Sequence, residues 1–246
     1  MAKKIAFITG GNRGLGLQTA FDLKDAAKIV IGSRDLKHGE QAVSKLRAAG
    51  AEADAIEFDV TQPASHQAAY AYFESKYGLL DILVNNAGVA LGSFSKPGPE
   101  RTVGEVSMAQ LREVFETNFF AQVALTQKLL PLIKKSGAGR IVNLSSILGS
   151  VGLQADPNSP IYHAKSFAYS ASKAALNMFT VHLAYELRDT KVKVNSAHPG
   201  WVKTGMGGAE AAMEVSEGGK TSAALATLPE DGPTGAFIHL GQAIPW

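Results

Sequence analysis

The chain has 246 residues, 46% apolar and 19% charged, enough for a sizeable core in one α/β domain. Its net charge of +2 comes from Lys and Arg dispersed among acids, which argues against nucleic acid or an anionic membrane as the main partner. The absence of cysteine excludes disulfides, thiolate metal sites and a thiol nucleophile, as suits a cytoplasmic protein. The apolar run after Lys4 is too short for a signal peptide, and no segment reaches the ~20 apolar residues of a membrane span. The histidines form no H-E-x-x-H pair, so no metal is expected.

In chain order, Ile5–Ile8 predicts a strand, and a helical pattern follows over Leu15–Ala26. Between them lies Thr9-Gly10-Gly11-Asn12-Arg13-Gly14-Leu15-Gly16. Glycines at a strand-to-helix turn let the backbone approach a pyrophosphate, which then sits at the helix N-terminus. The spacing is G-x-x-x-G-x-G rather than G-x-G-x-x-G. The next strand, Ile29–Ile31, leads to Ser33-Arg34, where an acid would otherwise meet the ribose 2′-hydroxyl. Arg34 and Arg13 instead suit a 2′-phosphate, so the expected cofactor is NADP(H). Asp35 would put an acid there if the strand end shifted by one residue.

A helix over Gly39–Ala49, a strand at Ala55–Phe58 and a helix over Ala64–Tyr77 come next. Strand Ile82–Val84 then runs into Asn85-Asn86-Ala87-Gly88, and Gly92–Gly104, with two prolines, reads as irregular. A long helix is expected over Met108–Ile133. In it Asn118 falls on the core-facing stripe of Leu111, Val114, Phe115, Leu125 and Leu129. A polar amide there must be hydrogen-bonded, either for catalysis or for a local helix irregularity.

Strand Ile141–Leu144 ends at Ser145-Ser146, and adjacent strand residues face opposite sides, so only one hydroxyl can enter a site. Gly149–Lys165, with Pro157, Asn158 and Pro160, is a poor helix or strand. Tyr169-Ser170-Ala171-Ser172-Lys173 opens a helical segment predicted over Ala171–Arg188. Tyr169 and Lys173, four positions apart, project from one helix face. A nearby ammonium, or the positive ring of an oxidised nicotinamide, would lower the phenol from its free pKa of about 10 towards neutral. Val192–Val194 predicts a strand, and Ala236–Leu240 would serve as an edge strand. The βαβα alternation implies a doubly wound parallel sheet with helices on both faces, and residues 1–246 read as a single domain.

Two other motifs do not hold. Ser170–Lys173 as S-x-x-K and Lys203-Thr204-Gly205 as K-T-G suggest a penicillin-binding acyl-transferase, but no S-x-N occurs. Gly219-Lys220-Thr221 ends like a P-loop, but Glu214 stands where its first glycine is required.

Together these motifs resemble the short-chain dehydrogenase/reductase family, over nearly the whole chain. The Thr9–Gly16 loop is similar to its T-G-x-x-x-G-x-G, and Asn85–Gly88 to its N-N-A-G. Asn118, Ser146 and the pair Tyr169 and Lys173 match its catalytic positions, and Pro199-Gly200 with Thr204 its P-G segment. The resemblance implies a Rossmann-type fold and NADPH-dependent reduction of a ketone or aldehyde to an alcohol. In it the serine holds the substrate oxygen, the tyrosine transfers the proton, the lysine lowers its pKa and holds the nicotinamide ribose, and the asparagine keeps a relay water. It selects Ser146 over Ser145.

It also implies that the cofactor is held by Gly10, Asn12, Arg13, Gly14, Leu15, Gly16, Ser33, Arg34, Asp59, Val60, Asn86, Ala87, Gly88, Tyr169, Lys173, Pro199, Gly200, Val202 and Thr204. Asp59 resembles the acid that meets the adenine. The substrate pocket is expected from Leu91–Lys96, Gly149–Lys165 and Gly205–Glu217, with Trp201, Met206 and Met213 either as apolar wall or as core filler. Ser146 and Tyr169 are 23 positions apart, wider than the usual family spacing, so an insertion lies between them. Carbonyl reductases of the family carry one there. It leaves homo-oligomer or monomer open. A non-catalytic NADP(H)-binding redox sensor would share the fold, but has no need of the set Asn118, Ser146, Tyr169 and Lys173.

Overall fold

The computed structural model describes residues 3–92 and 102–246. Strands β1 (Lys4–Thr9), β2 (Ala27–Ser33), β3 (Ala53–Glu57), β4 (Ile82–Asn85), β5 (Arg140–Leu144), β6 (Lys193–Ala197), β7 (Phe237–His239) and β8 (Gln242–Ala243) form one sheet. Its order is β3-β2-β1-β4-β5-β6-β7-β8. Every pairing is parallel except the last, β7 with β8. Helices α1 (Gly14–Asp22), α2 (Leu36–Ala48), α3 (Pro63–Tyr77), α4 (Met108–Phe115), α5 (Ala121–Lys134), α6 (Val151–Ala155), α7 (Phe167–Glu186), α8 (Val215–Gly218) and α9 (Lys220–Ala226) complete the fold.

The strands are apolar on both faces because both are covered. Successive residues feed two separate cores. Ile8, Ile29, Ile31 and Val84 pack on one face, and Phe7, Val30, Leu83 and Ile141 on the other. Chain direction across the sheet reverses between β1 and β4, and ligands of open α/β sheets bind beyond the strand C-termini at such a point.

Several expectations need correction. The run at Ala236–Leu240 is not the edge: Leu240 (φ 45°) and Gly241 (φ 83°) turn the chain back so that β8 covers β7. The helix expected over Met108–Ile133 is broken by a π-helical turn at Glu116–Phe120, between α4 and α5. Gly149–Lys165 contains α6, whose first turn is capped by the Ser150 hydroxyl. Helix α7 begins at Phe167, so Tyr169 lies inside it. Strands β3 and β6 are offset from the predicted Ala55–Phe58 and Val192–Val194 by up to three residues, the usual uncertainty at element ends. Most of Gly92–Gly104 and Leu91–Lys96 lies outside the described residues.

Candidate active site

A cavity of about 1180 Å³ opens over the C-terminal ends of β1, β2, β4, β5 and β6. One end is a cradle of backbone. The loop after β1 is braced by Asn86, whose Nδ2 donates to Thr9 O (2.7 Å) and Gly10 O (3.2 Å). In return the Thr9 hydroxyl accepts from Asn86 N (3.0 Å) and Ala87 N (2.9 Å). Gly16, in the first turn of α1, lies against this brace, and a Cβ there would stand 2.5 Å from both Asn86 Nδ2 and Gly10 O. The loop can therefore keep this path only without a side chain at that point.

Arg13 and Arg34 are exposed on the cavity wall, the only two arginines there among the described residues. Asp35 does not intrude: its carboxylate caps α2, accepting from Lys37 N and His38 N, and lies 3.2 Å from His38 Nδ1. Ser33 lies behind the wall. It is 2% exposed, its hydroxyl donates to Asp35 O (2.7 Å), and it is not among the lining residues. Asp59 lines the wall with its Oδ1 accepting from Thr61 N and Oγ1. Gly10, Asn12, Gly14, Leu15, Val60, Asn86, Ala87, Gly88, Pro199, Gly200, Val202 and Thr204 line it as well. Glycine backbone at a helix start with two guanidinium groups on the rim fits a dinucleotide bearing an extra phosphate.

At the other end β5 stops at Leu144, and Ser145 and Ser146 follow. The Ser146 hydroxyl caps the one-turn 3₁₀ segment Ile147–Gly149 by accepting from Leu148 N (3.2 Å). Tyr169 and Lys173 enter from α7. The helix comes this close because Gly149 has no side chain: a Cβ there would lie 2.8 Å from the Lys173 carbonyl carbon. The Lys173 ammonium donates to Leu144 O (2.6 Å) and lies 5.6 Å from the centre of the Tyr169 ring.

Electrostatics here are ruled by burial. Desolvation pushes the Lys173 ammonium down to about 8. It pushes the Tyr169 phenol up to about 12, opposed by a hydrogen bond from Ser146 that favours the phenolate. The expected lowering of Tyr169 by Lys173 is thus not what the protein alone displays. Tyr169 holds its proton at neutral pH, the state a proton donor requires.

Asn118 sits in the π-helical turn, fully buried and outside the cavity lining. Its Oδ1 accepts from Val89 N (2.8 Å), and its Nδ2 donates to Val89 O (2.9 Å) and Ser172 Oγ (3.1 Å). It ties the segment after β4 to α7, and the helix irregularity is real. Ser145 is 2% exposed, and its hydroxyl has no partner among the described residues.

The insertion supplies Pro160, Ile161, His163, Ala164 and Lys165 to the wall, and Trp201, Gly205, Met206, Gly207 and Val215 line it as well. Met213 does not line the cavity; its sulfur packs where a Cβ on Gly200 would be. Sequence reasoning passed over His198, Ile147 and Leu148, which all line the cavity. The signal available for His198 was its place directly before Pro199-Gly200, a polar residue at a strand end. No helix among the described residues is long and apolar enough to cross a membrane, and no cluster of potential metal ligands occurs among them.

The family model for short chain dehydrogenases matches residues 4–215. Carbonyl reductase (NADPH) 1 of Mus musculus is 32% identical, over 100% of this chain and 99% of its own length. The Homo sapiens enzyme of the same name is 31% identical, over 98% of each. Among solved structures, NADPH-bound carbonyl reductase from chicken fatty liver superposes with a TM-score of 0.85 at 29% identity, over 100% of both chains. Carbonyl reductase Sniffer of D. melanogaster gives a TM-score of 0.84 at 28% identity, again over 100% of both.

Proposed function

Because the chain belongs to the short chain dehydrogenase family, we propose that it reduces a ketone or aldehyde to an alcohol at the expense of NADPH, with Tyr169 as the proton donor. The observation that carries this reading is the meeting of Ser146, Tyr169 and Lys173 at one end of a cavity whose other end is a glycine cradle flanked by Arg13 and Arg34. The full-length relatives named as NADPH carbonyl reductases support it.

The cradle residues would hold the pyrophosphate, Arg13 and Arg34 the 2′-phosphate, and the Pro199–Thr204 segment the nicotinamide end; when bound, the cofactor supplies the hydride. The chain's own residues manage the proton and the charge. Ser146 donates to the carbonyl oxygen and gains strength as that oxygen becomes negative. Tyr169, protonated at neutral pH, gives the proton that completes the alcohol. The Lys173 ammonium, fixed by Leu144 O, sits close enough to favour the phenolate left behind. Asn118 keeps the Val89 backbone and Ser172 of α7 in register. Trp201, Met206, Ile161 and Leu148 make the substrate side apolar.

The test is loss of NADPH absorbance with a panel of ketones and aldehydes of graded size, run in parallel with NADH. Turnover with some members and preference for NADPH is the expected result. Cofactor binding without turnover of any member would favour the redox-sensor reading instead.

A further inference from the structure

His198 closes the β6 end directly before Pro199-Gly200, lines the cavity and is 9% exposed. Its main chain is held by β7: its N–H donates to Ile238 O (2.8 Å), and its carbonyl accepts from His239 Nδ1 (2.9 Å). Its ring reaches two turns at once. Nδ1 accepts from Ile147 N (3.2 Å) and from Gly200 N (3.4 Å).

Those two amides matter. Ile147 is the first residue of the 3₁₀ turn that Ser146 caps, and the first N–H groups of a helical turn have no partner within it. Leu148 N finds the Ser146 hydroxyl, Gly149 N finds Ser146 O, and Ile147 N finds His198. Gly200 starts the segment that leads to Val202 and Thr204. Burial and the neighbouring His239 ring, 4.8 Å away between centroids, push His198 down to about 3. The imidazole is therefore neutral, and with Nδ1 accepting, its proton sits on Nε2.

We propose that His198 is a positioning residue: its Nδ1 clamps the turn carrying Ser146 to the Pro199-Gly200 turn and so fixes the direction of the Ser146 hydroxyl. The inference rests on the reading of Ser146 as the group that holds the substrate oxygen. The ring does not touch the reacting atoms in this role. It acts through a backbone amide one residue from Ser146. An aliphatic residue in its place would leave two amides without their acceptor and free the turn to drift, and small displacements of a catalytic group are costly in rate.

The experiment is a double-mutant cycle on the full chain. His198→Leu, His198→Asn and His198→Gln are made alone and in Ser146→Ala, and kcat, carbonyl KM, NADPH Kd and melting temperature are measured. Asn can place its amide oxygen near the Nδ1 position, whereas Gln places it near Nε2. His198→Leu should lower kcat about tenfold with a much smaller change in carbonyl KM. His198→Asn should recover most of that rate, and His198→Gln should not. In Ser146→Ala the Leu substitution should change kcat less than about twofold, since there is no hydroxyl left to aim.

Equal fold losses in both backgrounds would overturn the clamp while leaving the role of Ser146 standing. A Ser146→Ala variant with intact kcat would refute that role, and the clamp with it. If His198→Leu does not fold, the pair Asn and Gln decides: equal rates in the two overturn the proposal.

Discussion

The two ends of the cavity are built by opposite means. At the β1–α1 end the chain makes room by leaving side chains out, and the work is done by backbone amides, two rim arginines and the Asn86 brace. At the β5–α7 end it buries side chains that would rather be in water, and burial itself holds Tyr169 protonated and Lys173 easily discharged. The first end is a shape and the second is a set of strained ionisation states. Changes at the first end should be felt mainly in cofactor binding, whereas changes at the second should be felt mainly in turnover.

Tyr169→Phe is the largest expected effect. It removes only the phenolic hydroxyl, so turnover should fall by roughly 10²–10⁴-fold, the usual scale for general acid catalysis, while NADPH binds almost as before. Steady-state rates and a cofactor titration check both halves. Activity retained within a few fold would end the assignment.

At the opposite end, Arg34→Ala should weaken NADPH by roughly 10- to 150-fold, the equivalent of about 1.5–3 kcal/mol for a hydrogen bond to a charged group. NADH should be nearly untouched, because it offers the guanidinium no phosphate. Arg13→Ala should act in the same direction. Comparing kcat/KM for both cofactors settles it, and equal weakening of the two would show that Arg34 serves the fold instead.

One methyl added at each end sharpens the contrast. Gly16→Ala drives a Cβ into Asn86 Nδ2 and Gly10 O, and Gly149→Ala drives one into the Lys173 backbone. Each clash should cost about 1–3 kcal/mol of packing. The first should appear mainly in cofactor Kd and the second mainly in kcat. Matching profiles from both variants would mean that the two ends are mechanically one unit.

The glycine cradle was legible in the sequence because Thr9–Gly16 is local: strand, loop and helix start lie within one short stretch. So were Ser146, Tyr169 and Lys173, through their order and type. The place of Ser33 behind the wall could not be read in advance, because its side-chain direction depends on the β2–α2 turn, where its hydroxyl donates to the Asp35 carbonyl. His198 was invisible because its partners, Ile147 and Gly200, meet only when β5 and β6 lie side by side. The π-helical turn at Asn118 could be anticipated only as one of two reasons for a buried amide. The shifted ionisation of Tyr169 depends on burial that spacing does not encode.

Lys173 gives a smaller, pH-dependent test. Its ordinary value is 10.5, and burial lowers it to about 8 in the folded chain. Below about 8 both states hold the proton and the folded state bears the full cost of the buried charge. Between about 8 and 10.5 the folded chain has released the proton that the unfolded chain retains, so this group's contribution to stability rises with pH. Lys173→Met should erase that rise, measured as the difference in chemical unfolding between variant and wild type across the window. It should also cost turnover at every pH. A difference that stays flat with pH would show that the ammonium is not buried as described.

The smallest effect is expected at Ser145, next to one of the largest. Ser145 and Ser146 follow the same strand, and only Ser146 takes part in the turn and the Tyr169 contact. The Ser145 main chain is secured by its N–H donating to Ala197 O (2.8 Å), a bond that any residue would keep. Its hydroxyl is buried without a partner among the described residues, so the fold bears its desolvation with no hydrogen bond in return. Ser145→Ala removes that polar atom and leaves almost the same volume. Stability should therefore hold or rise by up to about 1 kcal/mol, since deleting an unpaired buried group relieves a cost instead of creating one. Turnover should stay within about twofold, whereas Ser146→Ala should lose far more, on the scale of a missing oxyanion donor. Melting temperature and kcat for the two alanine variants make the comparison directly. If Ser145→Ala were the slower of the two, the strand would deliver the other hydroxyl to the substrate, and the register of β5 against α7 would have to be redrawn.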